Sequence, residues 1–447
     1  MESTIKVYTY PNGEIQRVQI VKLQDWKELD FLPLQGNAAV LDCFCDIYTN
    51  YLVPACPYIF QSMIMFYLPA DCGIELPMES TEYGIIEDKL TAASIVLKNG
   101  MKLRHGVPTF SNEKAKRLWD YLEACNCVRI IRGKMPGTKI IPVSQWSSYL
   151  SKTETDARMK VNASFFIMDS FDCASVYDHV GVPFGLLVKD GIVNNPPLYN
   201  REALLVKKDG TVDVRSLDVR NLTIEIGGVE YQHGKNASIY TRPSMAKTRR
   251  CAGTQLVVVG TKVVAVKCGG RVPIPASGYV LEIADTPSIM VGDTVTYRGL
   301  SDVVFGIQVG NSLVIDGKRT KDFISQFYNI YRLERIPYPP CLYPMDYKKA
   351  RAARIALGAD ADGHPILIWA EGKGKLSYHF GEDSCGASLQ ELVDIAVDAG
   401  MVNGINLDGG GSAQMLVDNT RMLRISDRNK KDNSDAERLV PLGLVVR

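Results

Sequence analysis

The sequence predicts an α+β protein of mostly antiparallel strands and hairpins with a few packed helices, preceded by a separate β-rich N-terminal domain. Short runs rich in Val, Ile and Leu recur along the chain, divided by Asn-Gly and Asp-Gly dipeptides that suit tight hairpin turns. Helical periodicity stands out in two stretches, residues 111–124 and 388–400. The chain has 447 residues, more than one typical domain, and its texture changes near residue 140.

Residues 1–140 are read as the first domain, of unknown role. Pro11-Asn12-Gly13, the turn residues around Gly36, and Lys98-Asn99-Gly100 punctuate its strands. Ser111 suits the N-cap of a helix over residues 111–124, with Ala115, Leu118, Trp119 and Leu122 on one face. Residues 51–68, YLVPACPYIFQSMIMFYL, approach the length of a membrane span. Pro54, Pro57, Gln61 and Ser62 interrupt them and Asp46 and Asp71 flank them, so buried strands are expected and no membrane span.

Residues 141–447 are read as the second domain. A strand is expected over residues 159–168. Hairpins then turn at Asp190-Gly191, Asp209-Gly210, Gly260, Asp316-Gly317 and Asp362-Gly363. Residues 335–349 hold too many prolines for regular structure and form a tyrosine-rich loop. The acidic turn at residues 360–363 lacks the full ligand spacing of a calcium loop and reads as a hairpin turn. Ser388 and Glu391 make a capping box, Leu389, Leu392, Val393 and Ala396 share a helical face, and Gly400 suits a left-handed close. A strand is expected next, over residues 402–407.

Composition is that of an ordinary soluble protein, 46% hydrophobic and 23% charged. A net charge of +1 gives no electrostatic case for nucleic acid or an anionic membrane, while leaving room for a local basic patch. The first residues show no basic segment followed by an apolar core, so no signal peptide is read. A cytoplasmic or virion-associated protein is expected, or a secreted one if the numbering is of a processed form. Eleven cysteines include two C-x-C pairs but no C-x-x-C, and the five histidines are scattered. Buried free thiols in a reducing compartment fit this better than zinc. No cofactor is expected, and a structural divalent ion is left open.

The stretch INLDGGGSAQM, residues 405–415, concentrates unusual chemistry. Asn406 and Asp408 alternate with apolar residues and so share one face at a strand end. Three glycines come next, able to approach other groups closely and to turn amides toward an anion. A Walker loop is excluded because there is no G-K-[ST], and the spacing is not that of a dinucleotide fingerprint. A plain flexible turn is the bland alternative.

Further motifs accompany it in order: VNASFF at 161–166, FGLLVKDGIV at 184–193, ARIALGADADG at 353–363, GASLQELVDIAVDAG at 386–400 and AERLVPLGLVV at 436–446. Together with NLDGGGSAQM they resemble the signature motifs of the phosphodiester glycosidase family over residues 143–447. Ile355 stands where the family has Thr, and Glu371 where it has Asp. The resemblance implies a hydrolase that cleaves the glycosidic C–O bond of a sugar-1-phosphodiester, such as an N-acetylglucosamine-1-phosphodiester, in a glycan or cell-surface polymer.

On that resemblance, Asp408 is the leading catalytic carboxylate, as nucleophile or base, and Glu371 the second. The amides of Gly409, Gly410 and Gly411, with Ser412, cradle phosphate or sugar oxygens. Arg354 is a forked phosphate partner. Asn162 and Asn406 orient the substrate, and Glu437 and Arg438 reach the site from the terminal motif. Phe165 and Phe166 are expected in the core, while His179, Tyr338, Tyr343 and Tyr347 are weaker site candidates. Two other readings are kept. One is a non-catalytic glycan-binding or structural module, for example a phage particle component whose N-terminal domain docks to a protein partner or assembly. The other is a metal-dependent phosphodiesterase, ranked low for want of a His/Asp cluster.

Overall fold

The computed structural model describes residues 1–33, 149–153, 155–166, 183–198, 201–242, 247–275, 278–284, 288–323, 350–374, 378–429 and 431–447, with short strands between residues 96 and 142. The span checked at residues 51–68, the loop at 335–349 and His179 lie outside the described residues. So does the helix expected at 111–124, apart from Glu113 and Lys116, which are helical. No helix among the described residues is long and apolar enough to cross a membrane.

The main scaffold is a seven-stranded sheet. Its order is Glu2–Thr9, Ile15–Lys22, Pro365–Ala370, Arg354–Ala359, Asn403–Asn406, Ser312–Ile315, Lys318–Arg319, and every neighbouring pair is antiparallel. The two central strands, PILIWA and RIALGA, are buried along their whole length. Alternation explains why both faces are apolar. Ile366, Ile368 and Ala370 pack beneath the helix Leu389–Asp398, while Leu367 and Trp369 enter the larger core on the other face. The helix starts at Ser388, whose hydroxyl accepts the Glu391 amide while the Glu391 carboxylate accepts the Ser388 amide. Gly400 ends it with a φ of 92°.

A four-stranded sheet lies beside this scaffold in the order Met415–Val417, Met159–Asn162, Leu442–Val446, Leu29–Pro33. The expected hairpins are present. Asp190-Gly191 and Asp316-Gly317 each place two consecutive residues at positive φ, the requirement of a type I′ turn.

Two expectations are corrected. The expected few packed helices reduce to one complete α-helix among the described residues, so the fold is β-rich and nearly all antiparallel. The strand expected over residues 159–168 ends at Asn162, because the chain there leaves the sheet to brace a neighbouring loop. Strands from the first 33 residues also pair with strands beyond residue 140. Ile15–Lys22 pairs with Pro365–Ala370, and Leu29–Pro33 with Leu442–Val446.

Candidate functional site

The motif loop begins where Asn403–Asn406 leaves the seven-stranded sheet, and it crosses to the four-stranded one. Three main-chain bonds carry it over. The Leu407 amide donates to the Ile355 carbonyl at 2.8 Å, the Asp408 amide to Ala163 at 3.0 Å and the Gly410 amide to Ala353 at 2.8 Å. Gly410–Ser412 forms a single 3-10 turn, and Met415–Val417 resumes as a strand. The two flanking strands expected around the glycines are therefore both present.

Each glycine has a separate reason. Gly410 sits at a φ of 59°, where a side chain is strained. A β-carbon on Gly409 would lie 2.6 Å from the Ala353 carbonyl oxygen. A β-carbon on Gly411 would strike the Asp427 carboxylate and the Arg438 guanidinium. Those two groups pair at 2.7 Å, and the other arm of Arg438 reaches the Ser412 hydroxyl at 3.4 Å. Arg438 thus meets Gly411 and Ser412. Of the expected cradle, the Gly410 and Ser412 amides are spent inside the fold, the latter on the Gly409 carbonyl at 3.2 Å.

Asn162 is buried and engaged at both ends. Its Nδ2 donates to the Asp408 carbonyl at 2.9 Å and its Oδ1 accepts the Gln414 amide at 2.9 Å. It therefore braces the loop, where the sequence reading had it orient a substrate. Asn406 is buried against Gly310, with which it shares a main-chain bond of 2.8 Å. Arg354 is buried, and its Nε and Nη2 donate to the carbonyls of Ala387 and Ala350 at 3.0 Å each. Those bonds commit much of the fork to main-chain carbonyls, one just before the helix and one just before its own strand.

Glu371 follows the strand that pairs Ala370 with Arg354. It is buried and its carboxylate is fully dressed. Oε2 accepts the Ser384 hydroxyl at 2.5 Å and faces Arg17 at 3.6 Å, and Oε1 accepts the Arg424 amide at 2.7 Å. Its carbonyl accepts Gln16 Nε2 at 2.7 Å and its amide donates to the Arg17 carbonyl at 3.0 Å. Glu437 accepts the Ser151 amide at 2.9 Å and the Arg421 guanidinium at 3.1 Å. Arg421 also reaches Gln414 at 3.5 Å, so Glu437 belongs to a polar cluster behind the loop.

Asn162, Asp408, the glycines, Ser412 and Arg438 thus come together directly. Arg354 and Asn406 lie on the strands that lead into this point, and Glu371 beyond the end of the adjoining strand. Sequence reasoning missed Gln16, Arg17, Ser384 and Arg424 around Glu371, and Asp427 beside Gly411. It also missed Lys160, buried two residues before Asn162, whose ammonium donates to the Thr153 carbonyl at 3.0 Å. Burial pulls the Lys160 pKa below its ordinary value, against the attraction of Glu437. Phe165 and Phe166 are buried, as expected. Among the described residues Cys251, Cys268 and Cys385 are free, and only Cys385 is buried. Asp360, Asp362 and His364 bring ligand-type atoms within 4.8 Å of one another in the turn that read as a plain hairpin. Asp360 Oδ1 there accepts the amides of Asp362 and His364.

No curated protein matches the chain in sequence. Among solved structures, a hypothetical protein from Synechocystis is similar at 18% identity and a TM-score of 0.40, with 79% of this chain and 63% of that one covered. The chain therefore spans less than two thirds of that protein. The zebrafish N-acetylglucosamine-1-phosphodiester α-N-acetylglucosaminidase catalytic domain, auto-inhibited by its pro-peptide, is similar at 12% identity and a TM-score of 0.41, with 100% and 82% covered. In sequence, the model of the phosphodiester glycosidase family matches residues 235–447, a shorter stretch than the motifs had suggested, since Asn162 and the Asp190-Gly191 hairpin lie before it. The likeness to the phosphodiester glycosidase family is thus confined to residues 235–447, just under half of the chain.

Proposed function

We propose that the chain hydrolyses a sugar-1-phosphodiester at the anomeric carbon, with Asp408 as the leading carboxylate. The family match supports a phosphodiester glycosidase-type hydrolase, and one observation carries the reading to this site. Asn162, from one motif, grips the main chain of Asp408, from another, so two distant motifs build one rigid loop. A main chain held this way fixes the point from which the Asp408 carboxylate projects as charge develops at the sugar.

In the proposed step the bond between C1 and the bridging oxygen breaks, and the phosphate leaves with the electron pair and its second ester intact. Water supplies the new oxygen on C1, and its proton passes to a carboxylate or to solvent. Phosphate leaves readily, so the reaction needs less general-acid help than ordinary glycoside cleavage. Glu371, dressed by Ser384, Arg424 and Arg17, acts as a fixed negative charge near the strand ends.

The test is turnover of a panel of sugar-1-phosphodiesters, N-acetylglucosamine-1-phosphodiesters included, in water labelled with heavy oxygen. Wild type should release sugar carrying the label, and Asp408→Asn should not. Label on the phosphate would point instead to P–O cleavage. Saturable glycan binding without turnover, unchanged in Asp408→Asn, would leave a binding module built on this fold.

A further inference from the structure

The four-stranded sheet Ala237–Thr241, Gly278–Ile283, Cys251–Val259, Lys262–Gly270 pairs with neither sheet that builds the motif loop. At its open end two segments run side by side. Lys247 bridges to Pro273, and the Thr248 amide donates to the Val272 carbonyl at 2.9 Å. Thr248 is buried, its hydroxyl accepts the Val272 amide at 2.9 Å, and it bonds Gln255 at 2.6 Å. The ladder is therefore anchored at this point. Continuing that register, Arg249 and Arg271 come next, with Arg250 beside them, outside any strand and before Cys251 pairs with Gly270. Arg249, Arg250 and Arg271 are exposed, and Lys267 is exposed further along the same strand pair.

Like charges gathered close together cost stability. Nearby carboxylates normally offset such a cluster, and among the described residues none pairs with it. Glu282 is the one carboxylate on these four strands, and it accepts the Tyr240 hydroxyl at 2.5 Å. No ion pair is formed by Arg249, Arg250, Arg271 or Lys267 among the described residues. Folding alone gives no reason to gather three arginines at an anchored strand end. A polyanion does, because the planar guanidinium fork matches phosphate oxygens, and several contacts release counterions together.

We propose that Arg249, Arg250 and Arg271 form a docking surface for a phosphodiester-linked polymer. The choice of that polymer over other polyanions rests on the proposed reaction, whose substrate is itself a phosphodiester.

The test uses the full chain and a fluorescent glycerol-phosphate oligomer, titrated over a range of salt concentrations. Combining Arg249→Gln, Arg250→Gln and Arg271→Gln should weaken binding about tenfold or more, and should reduce the slope of log affinity against log salt by about 2. The melting temperature of the triple variant should hold or rise, since a repulsion is removed. Its turnover of a small sugar-1-phosphodiester should match wild type, and Asp408→Asn should keep its oligomer affinity. If wild type turns over no sugar phosphodiester yet binds the oligomer through these arginines, the proposed reaction fails and the docking surface stands. Oligomer binding unchanged in the triple variant overturns the proposal. So does tighter binding of an RNA of equal charge, or a fall in melting temperature that reveals a structural role for the arginines.

Discussion

Asn162 and Asp408 stand 246 residues apart in sequence and are joined by a 2.9 Å bond from side-chain amide to main-chain carbonyl. The same side chain accepts the Gln414 amide on the far side of the glycines. A carboxamide offers a donor and an acceptor on one short stem, and a residue lacking either breaks the brace.

Replacing Asn162 by Leu keeps much of the volume and removes both bonds. The Asp408 carbonyl and the Gln414 amide are then left buried without this partner, at about 1–3 kcal/mol for each such group. We expect a lower unfolding midpoint in denaturant, and Asn162→Asp, which keeps the acceptor, should lie between wild type and Asn162→Leu. Equal midpoints for all three would show that the loop is held by its main-chain bonds alone.

Gly411→Ala is expected to break the pair between Asp427 and Arg438, because the added methyl group occupies their place. Overpacking of this kind costs about 1–3 kcal/mol. A double-mutant cycle with Arg438→Ala checks the cause. If the methyl group acts through the arginine, the two changes together should cost clearly less than their sum. Full additivity would place the strain elsewhere.

Much of this was legible in the sequence, and the division follows chain separation. Turns such as Asp190-Gly191 and the cap from Ser388 to Glu391 are decided within a few residues, so local chemistry declares them. The roles of the three glycines were only half legible. Positive φ at Gly410 follows from residue type, whereas close approach at Gly409 and Gly411 depends on Ala353 and Arg438, brought in by tertiary pairing. The surroundings of Glu371 were not legible at all. Gln16 reaches its carbonyl across 355 residues, and no periodicity in either strand names its partner. The same gap hid the pairing of the first strands with Pro365–Ala370 and Leu442–Val446.

Glu391 gives a prediction in pH. Burial alone would raise its pKa, but hydrogen bonds from Arg351 and Ser388 together outweigh that and hold it below the ordinary 4.5. A carboxyl lowered on folding adds stability above its unfolded value, and that stability is lost as pH falls through the folded one. Melting temperature should therefore decline on acidification below about pH 4.5, with Glu391→Gln declining less steeply than wild type. Parallel pH profiles would sink this account. Ser388→Ala should lower stability by about 1 kcal/mol at neutral pH through the lost cap.

The first 33 residues supply the last prediction. Val18 and Ile20 enter the apolar layer under the helix, and Val21, Leu23, Trp26 and Leu29 enter the larger core. Their strand also covers the edge of Pro365–Ala370, which would otherwise expose a row of unpaired main-chain groups. The buried Gln16 and the neighbouring Arg17 secure Glu371 from the same strand. A chain lacking residues 1–33 should therefore lose cooperative unfolding or aggregate, although the family match begins only at residue 235. Adding the 1–33 segment back as a separate peptide should restore a sharp melting transition, because the missing strands can pair in trans with the exposed edge. A truncated protein that melts as sharply and as high as the full chain would mean that these strands decorate the domain without stabilising it. Gln16→Leu in the intact chain separates the two contributions. It keeps the apolar burial and removes the bond to Glu371, so a modest loss of stability there, beside collapse on truncation, would assign most of the effect to the core residues.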